Sequence, residues 1–233
     1  MGPIYWTCSS GRTIVPCHRC RIFQRLTSHD MMPFLHCVTS WGCMNKLEFN
    51  AHLSLIGPAA AEAYSQDMVG NFPDIVLPSL QFKLCSVQDY RTAEAWPKTS
   101  ALKDGYGGWS WEDIYHKAKY SPEKFVIAVS GNGKFGGLFS GKLSANEVEL
   151  QYVQRDIGCT SLKGFMIPAS ITYSAILGLV MGREVLSVSE PAPALIERYK
   201  EIMKGDVNVV YGQKGEIAKM SVTVEEALAP PTV

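Results

Sequence analysis

The stretch SLKGFMIPASITYSAILGLVMGREVLSVSEPAPALIERY, residues 161–199, decides the fold. It predicts a glycine-containing loop, a long apolar helix, a buried strand and a second helix that prolines open. The first N–H groups of a helix lack partners within it, and the helix dipole adds partial positive charge there. Gly164 permits close backbone approach, Lys163 supplies a cation and Pro168 suits a first helical turn. The junction therefore predicts a site for the pyrophosphate of a coenzyme.

The composition of the whole chain is that of an ordinary globular protein. It has 233 residues, of which 46% are hydrophobic and 19% charged, and its formal net charge is zero. This length allows one large or two small domains with a proper core. The neutral balance gives no indication of nucleic-acid binding, and no apolar run is long enough to span a bilayer. We therefore expect a cytoplasmic protein with neither nucleic acid nor membrane as a partner.

Residues 1–43 differ in composition from the rest. They contain four Arg, no Lys and one acidic residue, Asp30, together with five of the seven cysteines. This pattern favours an atypical leader, disordered or not native, with a true start at Met31, Met32 or Met44. Zinc binding and a disulfide framework stay open as alternatives, because one C-x-x-C pair is present. The residues concerned are Cys8, Cys17, Cys20, His36, Cys37 and Cys43. We assign no metal ligand.

The segment 44–78 reads as an N-terminal helical extension. Apolar residues recur with helical spacing over Lys46–Ser65, but Gly57-Pro58 interrupts them, which predicts two short helices or one broken helix. A half-buried strand follows at Ser79–Cys85 and a short helix at Gln88–Trp96. Ser110 then begins a helix that runs to about Tyr120.

Three strands come next and predict an antiparallel meander. They are Lys124–Ser130, Lys134–Leu143 and Asn146–Gln154, with a hairpin turn at Gly131-Asn-Gly133. Gly136-Gly137 predicts a bulge or a close backbone approach. Glu149 faces the open side of the third meander strand, where a carboxylate beside a ligand cleft is a candidate general base. A solvated strand face is the alternative for this residue.

Beyond the central stretch, Asp206–Tyr211 and Glu216–Val224 predict a last hairpin, and residues 229–233 a loose tail. Residues 79–228 thus form one domain of the α/β (α+β) class. Its central sheet is mixed and mostly antiparallel, with helices on its faces, and it is parallel only where the long helix crosses over.

The order of elements and several motifs resemble the GNAT superfamily of N-acetyltransferases over roughly residues 80–224. That family carries a pyrophosphate loop Q/R-x-x-G-x-G/A before its long helix. Arg155-Asp-Ile-Gly158-Cys-Thr160 matches all but the last position, and Ser161-Leu-Lys-Gly164-Phe-Met166 matches the central glycine alone. The helix length favours the second register. Trp109-Ser-Trp111 and Leu162-Lys-Gly164 are also similar to a subset of the family with W-x-W and L-K-G motifs.

The resemblance implies an enzyme that transfers an acetyl group from acetyl-CoA, its cosubstrate, to an amine in a ternary complex. It places an acyl-CoA cleft between splayed fourth and fifth strands, with Tyr199 as proton donor to the leaving thiolate and Glu149 as base. Trp109 and Trp111 would line the acceptor groove. The implied cofactor-binding residues are Tyr152, Val153, Gln154, Ser161, Leu162, Lys163, Gly164, Phe165, Met166, Ile167 and Glu190.

Three alternatives stay open at this stage. Packing in the core is the alternative for the tryptophans and for Tyr199. A catalytically degenerate binding or structural protein is the alternative function, since the favoured loop register has a single family glycine. The acceptor, a small molecule or a protein amine, is not encoded in any motif, and a homodimer is compatible with the sequence.

Overall fold

The chain divides into two units, residues 1–37 and 38–233, and the computed structural model describes residues 6–7, 13–14, 44–71, 74–97 and 108–230. In the first unit the described residues form one antiparallel pair, β1 (Trp6–Thr7) and β2 (Thr13–Ile14). The leader, zinc and disulfide hypotheses for residues 1–43 lie outside the described residues, as does the end of the tail, residues 231–233.

A seven-stranded sheet organises the second unit. Its order is β3-β4-β5-β6-β7-β9-β8, and every neighbouring pair is antiparallel except β6 and β7, which are parallel. The predicted fold class is therefore confirmed. The strands are β3 (Leu80–Leu84), β4 (Lys124–Gly131), β5 (Lys134–Leu143), β6 (Glu147–Arg155), β7 (Val185–Ser189), β8 (Asn208–Tyr211) and β9 (Ile217–Thr223).

Local sequence explains the meander of β4, β5 and β6. Asn132 and Gly133 both have positive φ, 52° and 77°, as a tight hairpin turn requires. The Asn132 side chain also accepts a hydrogen bond from the Ser79 N–H at 2.9 Å, which ties the turn to the start of β3. The predicted irregularity in β5 is confirmed, because the register with β4 shifts at Gly136. A side chain there would collide with Cys159.

Six α-helices flank the sheet within the described residues. The first is continuous, which corrects the prediction of a break at Gly57-Pro58. Pro58 removes one N–H from the helix, but Gly57 packs against β3, where an added Cβ would lie 2.9 Å from the Phe82 carbonyl oxygen. This tertiary packing outweighs the local breaker signal. The helices are α1 (Lys46–Asn71), α2 (Val87–Glu94), α3 (Trp111–Lys119), α4 (Met166–Val180), α5 (Ile196–Met203) and α6 (Val224–Ala227).

The two faces of the sheet carry different helices. Phe139 of β5 packs edge-on against Tyr173 of α4 at 5.3 Å, on the face that α1 and α4 cover. Its neighbour Leu138 points the opposite way, into a core cluster with residues of α2 and α3. Tyr173 donates a hydrogen bond to the Leu53 carbonyl of α1 at 2.8 Å. No helix within residues 44–71, 74–97 and 108–230 is long and apolar enough to cross a membrane.

Gly141 of β5 yields a stability prediction. An added Cβ would collide with the Glu149 carbonyl oxygen and would lie 2.7 Å from the Phe125 ring. Because one of these neighbours is backbone, we expect Gly141→Ala to lower the unfolding free energy by about 1–3 kcal/mol in urea denaturation.

Gly158→Ala is the matched control for this substitution. Its added Cβ would meet nothing closer than 3.4 Å, so we expect a change within about 0.5 kcal/mol. Equal stability of the two variants would contradict the close packing of β5 on β6.

Candidate functional site

The site begins where β6 and β7 part. Their parallel pairing runs from Glu147 opposite Val185 to Leu150 opposite Val188, and β7 ends one residue later. β6 continues to Arg155 along β5 only. On its other edge, the backbone N–H and C=O groups beyond Leu150 therefore have no strand partner among the described residues.

A bulge on β6 marks the point of separation. Ser140 of β5 lies opposite Tyr152, while the next residue, Gly141, lies opposite Leu150, so Gln151 is an extra residue on β6. Bulges bend the strand that contains them and increase its twist. The bulge thus explains why β6 turns away from β7 immediately after their last pair.

A cleft occupies the gap between the two strands. Its volume is about 370 Å³, counting the open mouth. Leu150 and Val153 of β6 and Val188 of β7 supply apolar walls, and the rings of Trp109 and of Tyr199 of α5 also line the cleft. The remaining lining residues are Gln151, Ser189, Glu190, Pro191, Ala192 and Leu195. The sequence predicts a cleft between the fourth and fifth strands of the domain, and a gap is present there, between β6 and β7.

Trp109 and Trp111 have different environments. Trp109 lines the cleft and packs edge-on against Tyr152 of β6 at 5.6 Å. Trp111 is 1% exposed in the core cluster under α2 and α3, and its indole N–H donates to Gln154 Oε1 at 2.6 Å. The structure thus corrects the assignment of Trp111 to an acceptor groove: burial leaves it a packing role that orients Gln154.

The predicted phosphate junction lies at the start of α4. Gly164 has φ = 82°, and a Cβ added there would meet nothing within 4 Å, so the junction is open. Lys163 is exposed beside it. Among the described residues no partner is present for the N–H groups of Met166 and Ile167, the first two residues of the helix, as expected for a first turn. These groups and Lys163 together suit an anion.

The alternative loop register, around Gly158, is engaged in its own contacts. The Gly158 N–H donates to Asp156 Oδ1 at 2.9 Å, and Arg155 donates to the carbonyls of Asp156, Ile157 and Cys159 at 2.8–3.1 Å. Since these groups are satisfied within the turn, they are poorly placed to bind a phosphate. The helix start at Met166 agrees with the register centred on Gly164.

Side chains of the junction residues are partly hidden. Leu162 and Met166 are buried at 0% and 5% exposure, and Ser161 donates a hydrogen bond to the Gly131 carbonyl at 3.1 Å. Contact of Leu162 or Met166 with a ligand is therefore limited to their backbone. Phe165 precedes the helix without a side-chain cap bond.

Tyr199 reaches the cleft from α5 and is 5% exposed. Burial raises the pKa of its phenol well above the usual range. The hydroxyl therefore stays protonated at any physiological pH, so it carries a proton that it could donate, although the raised pKa makes it a weak acid. Within the described residues its hydroxyl makes no hydrogen bond.

Glu149 lies beside the cleft in a network of polar groups. It accepts hydrogen bonds from Ser189 and, at 2.9 Å, from Gln151, both of which line the cleft. Lys142 of β5 and Lys219 of β9 approach its carboxylate at 3.3 and 3.9 Å. Burial raises the pKa of Glu149, but the hydrogen bonds from Ser189 and Gln151 and the Lys142 charge outweigh it and hold the pKa below its usual value. Glu149 is thus ionised at neutral pH.

Sequence reasoning missed several of these groups. Gln151 was an ordinary strand residue in the sequence, and its place as the bulge depends on the register with β5. Lys142, Ser189 and Lys219 come to Glu149 from three other strands. The only local signal was the polar alternation of β6, which identified Glu149 itself. Glu190, predicted to bind the cofactor, does line the cleft, in a left-handed conformation with φ = 44°.

No family model and no curated protein matches the chain. Among solved structures, a ribosomal-protein-S18-alanine N-acetyltransferase from Escherichia coli matches with 13% identity and a TM-score of 0.43, over 62% of this chain and 94% of that one. A spermidine N-acetyltransferase mutant from Vibrio cholerae matches with 12% identity and a TM-score of 0.45, over 64% of this chain and 96% of that one. An N-acetyltransferase from Thermoplasma acidophilum in complex with coenzyme A matches with 12% identity and a TM-score of 0.41, over 62% of this chain and 99% of that one.

All three of these solved structures are N-acetyltransferases.

The network around Glu149 yields a titration prediction. Because Lys142 stabilises the carboxylate, we expect Lys142→Gln to raise the pKa of Glu149 toward the ordinary carboxyl value. The pKa is measured from the side-chain carboxyl ¹³C shift as pH is lowered. Since the folded-state pKa is lowered, stability from this group is present above the unfolded pKa and lost as pH falls through the folded value.

Lys117→Gln on α3 makes the same charge change at an exposed position and should leave the Glu149 titration unchanged. An unaltered titration in Lys142→Gln would show that the lysine does not act on the carboxylate.

Proposed function

We propose that the protein is an N-acyltransferase that transfers an acetyl group from acetyl-CoA to an amine of a small molecule or protein. The observation that supports it is the unpaired edge of β6, from Gln151 to Arg155, which leads along the chain into the open helix junction at Gly164. An edge strand accepts an extended, amide-containing ligand by main-chain hydrogen bonds, and a helix N-terminus accepts a phosphate group. Pantetheine and pyrophosphate are joined in this order in coenzyme A.

The proposed binding mode assigns roles along that path. The main chain of Tyr152, Val153 and Gln154 would pair with the amides of the pantetheine arm. The N–H groups from Gly164 to Ile167, with the Lys163 ammonium, would hold the pyrophosphate. The main-chain bonds to the pantetheine arm are directional, and the bonds to the pyrophosphate are charge-assisted. Together they would hold the thioester at the bulge, where β6 and β7 part.

The chemistry proposed at the bulge is direct attack of the amine on the thioester. A main-chain N–H of β6 near Gln151 would donate to the carbonyl oxygen as negative charge develops on it. Tyr199, which burial keeps protonated, would donate its proton to the leaving sulfur. The carbon–sulfur bond breaks as the carbon–nitrogen bond forms, and the amine loses one proton.

Glu149 is proposed to receive that proton through a bridging water. Its lowered pKa keeps it ionised and ready to accept a hydrogen bond, but makes it a weak base. The residue therefore suits the orientation of an incoming amine as well as relay of its proton. Trp109, on the wall of the cleft next to Tyr152, would contact the acceptor.

Binding of acetyl-CoA is tested first. We expect calorimetric titration to detect binding and Gly164→Glu to weaken it at least about tenfold, because a carboxylate would repel the pyrophosphate. Gly133→Glu is the control: Gly133 has nearly the same φ, 77° against 82°, and equally open surroundings, so both variants carry the same backbone strain. No binding by the unchanged protein at millimolar acetyl-CoA would refute the proposed function.

Proton donation by Tyr199 is tested separately. We expect Tyr199→Phe to lower kcat about a hundredfold while the affinity for acetyl-CoA is kept, measured as release of CoA thiol with the best acceptor from a panel of amines and peptides. Tyr211→Phe, an exposed tyrosine on β8, should leave kcat unchanged. Full activity of Tyr199→Phe would assign the hydroxyl to packing.

A further inference from the structure

Another irregularity lies at the edge of the sheet, where β3 pairs with β4, two strands away from the cleft between β6 and β7. β3 ends at Leu84, opposite Ile127, whereas β4 begins three residues earlier, at Lys124. The carbonyls of this uncovered start of β4 have other partners. The Cys85 N–H donates to the Val126 oxygen at 3.0 Å, and the Lys46 ammonium of α1 donates to the Lys124 oxygen at 2.7 Å.

A pocket opens beside these bonds, between α1 and α3. Its volume is about 490 Å³, counting the open mouth. Its floor is apolar and is formed by Leu53, Leu84, Phe125 and Val126. Leu53, Phe125 and Val126 are at most 5% exposed overall, so the floor belongs to the core of the domain. The pocket and the cleft share no lining residue.

The charged side chains that line the pocket among the described residues are both cations. Lys46 reaches it from α1 and Lys119 from α3, and no carboxylate lines it in that part of the chain. Neither lysine has an acidic partner within the described residues; the Lys46 ammonium lies 5.0 Å from the Phe49 ring and the Lys119 ammonium 5.2 Å from the Tyr120 ring. Asn50, one helical turn after Lys46, adds an amide to the same lining.

The environment of Lys46 is unfavourable for its charge. Burial lowers its pKa to about 8, and a neutral carbonyl is the one acceptor that it bonds among the described residues. A buried cation is stabilised far more by an anion than by a carbonyl. The apolar floor meanwhile offers surface to a hydrocarbon group.

We propose that this pocket is a second binding site, separate from the cleft, for a small organic carboxylate. Its carboxylate would pair with Lys46 and Lys119, and its apolar body would lie on Leu53, Leu84, Phe125 and Val126. Such a molecule would pair with the lysine ammonium groups and also cover the apolar floor. Inorganic phosphate would pair with the lysines alone, and an apolar amine would cover the floor alone.

Octanoate is the probe for this site, titrated calorimetrically into the full-length protein. We expect binding of octanoate and none of octylamine at the same concentration, and saturation with CoA should leave octanoate binding unchanged. Lys46→Gln and Lys119→Gln should each weaken it about tenfold. Lys117→Gln, an exposed charge change on the same helix as Lys119, should not alter it.

Each result has a defined meaning. The Lys119 side chain makes no hydrogen bond to the protein among the described residues, so its variant tests the site even if loss of the Lys46 bond to β4 lowers stability. No octanoate binding at millimolar concentration, equal binding of octylamine, or unchanged affinity in Lys119→Gln would overturn the proposal and leave Lys46 as a cap of the β4 edge. Loss of binding on addition of CoA would place octanoate in the cleft and would equally overturn it.

Discussion

The separation of β6 from β7 after Leu150 and Val188 is the constraint on which the rest of the site depends. One extra residue, Gln151, turns β6 away, and Gly141, opposite Leu150, gives β6 room to approach β5 closely. Because β6 leads directly to the junction before α4, the unpaired edge and the helix N-terminus follow each other along the chain. Bulge, edge and junction are thus consequences of one local change in strand pairing.

Opposite electrostatic environments meet at this gap. On one side, burial raises the pKa of Tyr199 and keeps its hydroxyl protonated; on the other, hydrogen bonds and Lys142 hold the pKa of Glu149 low and keep it ionised. Burial acts on both groups, and the difference lies in their partners: Glu149 accepts hydrogen bonds from Ser189 and Gln151 beside Lys142, whereas burial alone acts on Tyr199. Each group is thereby held in the protonation state from which its proposed role begins.

The parts of this structure that the sequence predicts are those with local causes. Asn132 and Gly133 define their turn, and Ser110 caps α3 as expected from its spacing to Asp113. The errors have non-local causes: α1 continues through Pro58 because it packs on β3 and α4. Likewise Trp111 is hidden by α2 and β6, and Gln151 becomes a bulge only through its register with β5. No short stretch of sequence predicts these contacts, because they join residues that are distant along the chain.

The start of β4 and the second half of β6, two places where a strand loses its neighbour, differ in how the exposed backbone is covered. At the start of β4, the chain itself supplies donors, the Cys85 N–H and the Lys46 ammonium, to the exposed carbonyls. Along the second half of β6, the described residues supply no strand, although unpaired backbone groups on a sheet edge invite a partner. Proteins protect such edges with charges, prolines, bulges or covering segments. The open edge of β6, together with the helix junction, therefore supports the proposed binding of an extended, amide-bearing ligand.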